Sequence, residues 1–164
     1  LNRYFSVNNA LVASYGGEIN NYMGDGFLAL FRETPEMNAA SRAIEAGLQM
    51  FDNLGDLQNY FLYNYGSPLD IRLGLHYGRV IAGQMGGYTL RQQAVVGEAV
   101  NFANSILEAN KDAGTRFLIS ESIYQQIGVS TKIGRIYHFT PKGHTDRVNA
   151  YEVLIGNTGN GAQA

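Results

Sequence analysis

The chain has 164 residues, 45% of them hydrophobic and 16% charged, with a formal net charge of −2, which suits one globular domain around a single core. It has no cysteine, which excludes disulfides, thiolate zinc sites and cysteine nucleophiles and fits a reducing, cytoplasmic location. No basic run supplies the face that a duplex-binding protein needs, and no apolar run or leader pattern points to a membrane span or to secretion.

Leu1, Tyr4, Phe5, Leu11, Val12 and Tyr15 fall near helical spacing, and Gly16-Gly17 ends the run. Residues 18–23 and 26–31 then read as two arms of a hairpin around Gly24-Asp25-Gly26. Asp-Gly between strand-like runs is a strong turn signal, because both turn positions are expected to need positive φ. The second arm, Phe27 to Phe31, is apolar throughout and suits a strand covered on both faces. A hairpin tip is also a good place for a ligand-holding carboxylate, since the strands fix it while glycines let a ligand approach.

Thr34-Pro35-Glu36 predicts a helix start, with a capping hydroxyl, proline at the first helical position and an acid in the first turn. Ala40, Ile44, Leu48, Phe51, Leu54 and Phe61 form the apolar stripe behind it. Leu69 to Tyr77 alternates, with Leu69, Ile71, Leu73, Leu75 and Tyr77 on one face, which predicts a strand. Gly78 turns the chain into a second strand near 79–84, a glycine-led loop fills 86–90, and a short strand follows at 92–96. A helix is expected over 98–111, with Val100, Ala103, Ile106 and Leu107 inward and Gly114 after its end. A strand at 116–119, a short helix near 121–127 and strands near 135–139 and 149–155 complete the body. The domain is expected to span 1–155, with 156–164 a disordered tail. Helices mixed with antiparallel arms in this way indicate an α+β domain.

Four blocks, NYMGDGFLALF, LDIRLGLHYGRVIAGQMG, VVGEAVNFANSIL and PKGHTDRVNAY, together resemble the class III nucleotide cyclases, the catalytic domains of adenylate and guanylate cyclases. The resemblance runs in order through nearly the whole chain. Neither an RNA-recognition strand motif nor a GxxxxGK[ST] phosphate loop competes with it. It implies a ferredoxin-like mixed sheet covered by helices. It also implies conversion of ATP or GTP to a 3′,5′-cyclic monophosphate and pyrophosphate, with two Mg²⁺ or Mn²⁺ ions between two aspartates.

Under that resemblance Asp25 matches the second metal aspartate. The first lies on a strand upstream of Leu1, so the chain is expected to be a fragment lacking its first strand, with a regulatory domain further upstream. Asn101 matches the asparagine that orients the ribose, and Lys142 the lysine that contacts the triphosphate. Asn21 and Gln92 (Gln93 if the register shifts by one) fall where the family reads the purine. Ser105 stands where the family has an arginine that stabilises the transition state, and serine carries no charge; Arg91 is a candidate replacement. The family's site forms between two subunits, which implies a homodimer with shared active sites. Two functions stay open: a working purine nucleotide cyclase, favoured by Asp25, Asn101 and Lys142, or an impaired dimerisation or nucleotide-sensing module, favoured by Ser105, Asn21 and Gln92. His76, His138 and His144 lack metal spacing, and His76 is expected on a sheet face. Glu98 is expected to favour the helix dipole.

Overall fold

The structure, a computed structural model, describes residues 2–85 and 92–156. Helix α1 (Asn2–Ser14) leads into the hairpin β1 (Gly17–Met23) and β2 (Gly26–Phe31), followed by the long helix α2 (Ala39–Tyr65). Then come β3 (Leu73–Leu75), β4 (Ile81–Met85), β5 (Gln92–Val96) and α3 (Glu98–Ala113). The chain ends with β6 (Phe117–Ser120), α4 (Glu121–Tyr124), β7 (Ile133–Phe139) and β8 (Val148–Val153). The tail expected to be disordered lies, from 157 on, outside the described residues.

Four strands form the main sheet in the order β3-β6-β8-β7, with β3 and β6 parallel and the other pairs antiparallel. The β1–β2 and β4–β5 hairpins are separate two-stranded ladders. β6 is buried at every position, and its alternation divides the core. Phe117 and Ile119 join α1 and α2 on one face, while Leu118 joins Ile106, Ala109 and Ala150 on the other, under α3. A strand with period-two side chains and helices on both sides is apolar at both sets of positions, as Phe117, Leu118 and Ile119 are; Ser120, at its end, is buried with its hydroxyl 2.8 Å from His76 Nδ1.

The boundaries of α2 and β3 differ most from the sequence reading; α4 also ends at Tyr124 instead of 127, and β8 at Val153 instead of 155. α2 starts at Ala39, not at Pro35, because Asn38 accepts a hydrogen bond from Ser41 N (3.0 Å) and so caps the helix. Thr34 Oγ1 instead accepts from Met37 N and closes a turn ahead of it. The strand expected over 69–77 is reduced to Leu73–Leu75. The Gln58 side chain takes both backbone groups of Leu69, its Nε2 donating to the carbonyl (2.6 Å) and its Oε1 accepting from the amide (2.9 Å). A side chain has taken the place of a strand partner there. The alternation itself holds, since Leu69, Ile71, Leu73, Leu75 and Tyr77 all pack on the α2 side.

α3 is seated on the sheet by close approach. A Cβ on Gly74 would lie 2.4 Å from Leu107 N and 2.6 Å from Leu107 Cα, so only glycine lets β3 and α3 meet at this distance. Beside that contact Asn110, 1% exposed, donates to Leu73 O (2.9 Å) and Leu107 O (3.1 Å) and accepts from Thr115 Oγ1 (2.8 Å). Asn110→Ala strands the Thr115 hydroxyl and the strand carbonyl, at a cost of about 1–3 kcal/mol. Urea denaturation should show a lower midpoint with an unchanged slope.

Candidate active site

The hairpin tip is a two-residue turn. Met23 pairs with Gly26 across it, and Gly24 alone takes a positive φ, 60°. No described non-glycine residue has a positive φ, so only the first turn residue needs the left-handed region, the pattern of a type II′ turn. Asp25 is exposed. A Cβ on Gly24 would meet nothing within 4 Å, so the tip is open on that side.

Several contacts hold the hairpin in place. Arg42, 7% exposed, donates to the carbonyls of Tyr15, Gly16 and Arg32, at the two ends of its root. Nearer the tip, Phe5 of α1 meets the Tyr22 ring edge-on at 4.8 Å. Burial raises the pKa of the Tyr4 phenol; the neighbouring Asn8 side chain lowers it in part, and the nearby charge of Asp25 raises it again. α1 therefore runs alongside the carboxylate.

Asn21 lies on the same hairpin, exposed. The β1–β2 register slips between Ile19 and Asn21, leaving Asn20 without a cross-strand partner. Such an irregularity re-aims side chains. Asn20 Nδ2 here donates to Asn21 Oδ1 at 2.9 Å, which leaves the Asn21 amide nitrogen free to donate outward.

The other candidates lie on α3 and the β7–β8 loop. Asn101 is exposed in the first turns of α3, and Ser105 follows four residues later on the same face. Ser105 and Lys142 line one cleft of about 570 Å³, together with Asn104, Lys111 and Thr140. Asp25 and Asn21 do not line it. The structure thus brings Ser105 and Lys142 together, with Asn101 one helical turn away, and leaves Asp25 and Asn21 on the hairpin. Gln92 opens β5 opposite Met85; its side chain and that of Gln93 lie outside what is described, as does Arg91.

His76 sits on the sheet face as expected. Its Nδ1 is 2.8 Å from Ser120 Oγ, and its ring stacks at a tilt on Phe102, 4.4 Å away. Burial pushes its pKa below the usual histidine range, so the ring is neutral at pH 7. Glu98 does more than favour the helix dipole. Its carboxylate pairs with His144 Nε2 at 2.8 Å, a contact across 46 positions that no local pattern announces.

The oxygen chemistry of Asp25 fits a hard divalent cation. Among the described residues no three His, Asp or Glu side chains gather where they could hold a metal. The Asp25 side chain could serve as one ligand to such a cation. No helix among the described residues is long and apolar enough to cross a membrane.

The same architecture is found in solved proteins. The guanylyl cyclase Cya2 superposes with a TM-score of 0.84 at 27% identity, over 98% of this chain and 81% of that one. In sequence, the terminal-differentiation-specific adenylate cyclase of Dictyostelium discoideum is 28% identical over 159 residues, covering 95% of this chain. An adenylate cyclase of Anabaena cylindrica is 28% identical over 93% of it. The chain spans 7% and 31% of the length of these two relatives. The family described as "Adenylate and Guanylate cyclase catalytic domain" matches residues 1–152. With fold, ordered motifs and family match agreeing over nearly its full length, the chain belongs to the adenylate and guanylate cyclase catalytic domain family.

Proposed function

We propose that this domain forms a 3′,5′-cyclic purine nucleotide and pyrophosphate, from ATP in preference to GTP. The ribose 3′-oxygen bonds to the α-phosphorus, the bond from that phosphorus to the β-phosphate bridging oxygen breaks, and the hydroxyl proton is lost. Cyclases of this family generally use divalent metals, and Mg²⁺ or Mn²⁺ supplies charge neutralisation on the phosphates and a more acidic 3′-hydroxyl. Asp25 holds the metal. Asn101 orients the ribose by donating and accepting without adding charge. Lys142 meets the triphosphate as a point charge.

The observation that carries this reading is the division of the candidates. Lys142 and Ser105 share one cleft while Asp25 stands outside it on the hairpin. That division supports a site completed across a homodimer, in which one copy brings Asp25 and the other Asn101 and Lys142. The β-ladders also support a longer chain. β2 and β3 both pack on α2 but are not hydrogen-bonded to each other. An upstream strand placed between them would pair both edges and bring the second acid. A regulatory domain further upstream and a cytoplasmic setting complete the proposal.

Asn21 supports the ATP preference. With its oxygen engaged by Asn20, it offers a donor, which suits the N1 acceptor of adenine and not the N1–H of guanine. Gln92 lies at the start of β5 and is the second purine-reading candidate.

Ser105 favours the second reading, a domain that binds nucleotide and dimerises with little turnover. A missing preorganised donor at a transition state costs on the order of 10²–10³ in rate. The test is cyclic-nucleotide formation by a chain extended upstream, with ATP or GTP and Mn²⁺. Product from ATP at a higher kcat/KM than from GTP supports the proposal, and Ser105→Arg is expected to raise kcat by about 10-fold or more. Nucleotide binding without product from either protein would leave the second reading.

A further inference from the structure

We infer that Glu98 and His144 are a positioning pair that fixes the Lys142 turn against the N-terminus of α3, an inference that rests on the substrate-binding role proposed for Lys142. The turn is Pro141-Lys142-Gly143-His144. His144 N donates to Pro141 O at 3.0 Å, and Gly143 takes φ 84°, so Lys142 sits at the first corner of a closed turn. Both ends of the turn are held. Pro141 is fully buried. His144 reaches Glu98 at 2.8 Å, and its ring meets Phe102 edge-on at 5.7 Å.

The chain of contacts continues inward. Phe102 stacks on His76, whose Nδ1 lies 2.8 Å from the buried Ser120. The outer end is exposed and the inner end is core, so the turn is referenced to the sheet through two rings. Glu98 and Phe102 flank Asn101 on α3, and Ser105 follows on the same helix. The same contacts therefore set the spacing between the lysine of the β7–β8 loop and the polar face of α3. Lys142 has a long, flexible side chain. Fixing its backbone removes part of the ordering cost that the triphosphate would otherwise meet on binding. Two residues distant in sequence thus act through Lys142 without touching substrate.

The test uses the full-length protein and the variants Glu98→Ala, His144→Ala, their double, and His144→Lys, which places an ammonium donor opposite Glu98. An exposed pair of this kind predicts a two- to fivefold rise in the KM for the triphosphate, with kcat changed less than twofold. The double variant should be no worse than either single, and His144→Lys should restore KM. In a Lys142→Ala background, Glu98→Ala should have no further effect on KM, which a general loss of structure would not produce. Hydrogen exchange at the His144 amide reads the clamp without any turnover, and it should speed up in Glu98→Ala. Unchanged exchange, or KM effects that persist without Lys142, would overturn the inference. Faster exchange in a protein that makes no cyclic nucleotide would instead overturn the proposed reaction and leave the clamp standing.

Discussion

Asp25→Asn should reduce cyclic-nucleotide formation by about 10³-fold or more while leaving the fold in place. A divalent cation bound to the phosphate oxygens would stabilise transition-state charge by several kcal/mol, and each 1.36 kcal/mol is a factor of ten in rate. Asparagine keeps the size of the side chain and suits a turn, but it removes the negative charge that the proposed metal role requires. The hairpin does not depend on that charge. Asp25 is exposed, and its ladder is closed by the Met23–Gly26 pair and the positive φ of Gly24. Stability should therefore change by about 0.5 kcal/mol or less. Activity is measured over a range of Mn²⁺ concentrations, with thermal unfolding in parallel. Retained activity at ordinary metal concentrations would remove Asp25 from the metal site, whatever the family resemblance implies.

Gly74→Ala should have the largest effect on stability and should damage the site from a distance. The added Cβ would sit 2.4 Å from Leu107 N and 3.0 Å from Ile106 C. These are backbone atoms of α3, so no rotamer change relieves the clash; the helix must move away from β3. Overpacking costs about 1–3 kcal/mol, with the loss of the Asn110 bond to Leu73 O adding to it. Asn101, Ser105 and Glu98 all ride on that helix. A displacement of the order of 1 Å at a reacting centre costs about 10²-fold, so kcat/KM should fall well before the protein unfolds. Gly55→Ala is the control. It lies in α2 with nothing within 4 Å of its missing Cβ, and alanine there should stabilise by about 0.5–1 kcal/mol. Equal effects of the two changes would contradict the packing account.

Much of the molecule is legible before any coordinates. The Gly24-Asp25-Gly26 turn and the α3 pattern name their elements correctly, the run Phe27–Phe31 names a strand though one only half-buried in a two-stranded ladder, and the alternation from Leu69 to Tyr77 names the buried face but not the strand's length. Each signal lies within a few residues and reports a period or a turn requirement, which the local chain satisfies largely by itself. The candidate residues Asp25, Asn101 and Lys142 come from a different source: ordered motifs that resemble a family, not a period or a turn requirement.

Tertiary contacts decided the rest. Gln58 occupies the backbone of Leu69 and shortens β3; Asn38 rather than Thr34 caps α2. Asn110 is buried between a strand and a loop, where a helical pattern alone predicts only apolar neighbours. Ser105 and Lys142 meet in one cleft although 37 positions separate them, and Glu98 finds His144 across 46. Sequence spacing carries no information about such pairs, because which distant groups meet depends on how α3 is seated over the sheet. That seating is set by the close approach of Gly74 to Leu107, a contact that exists only after the chain has folded.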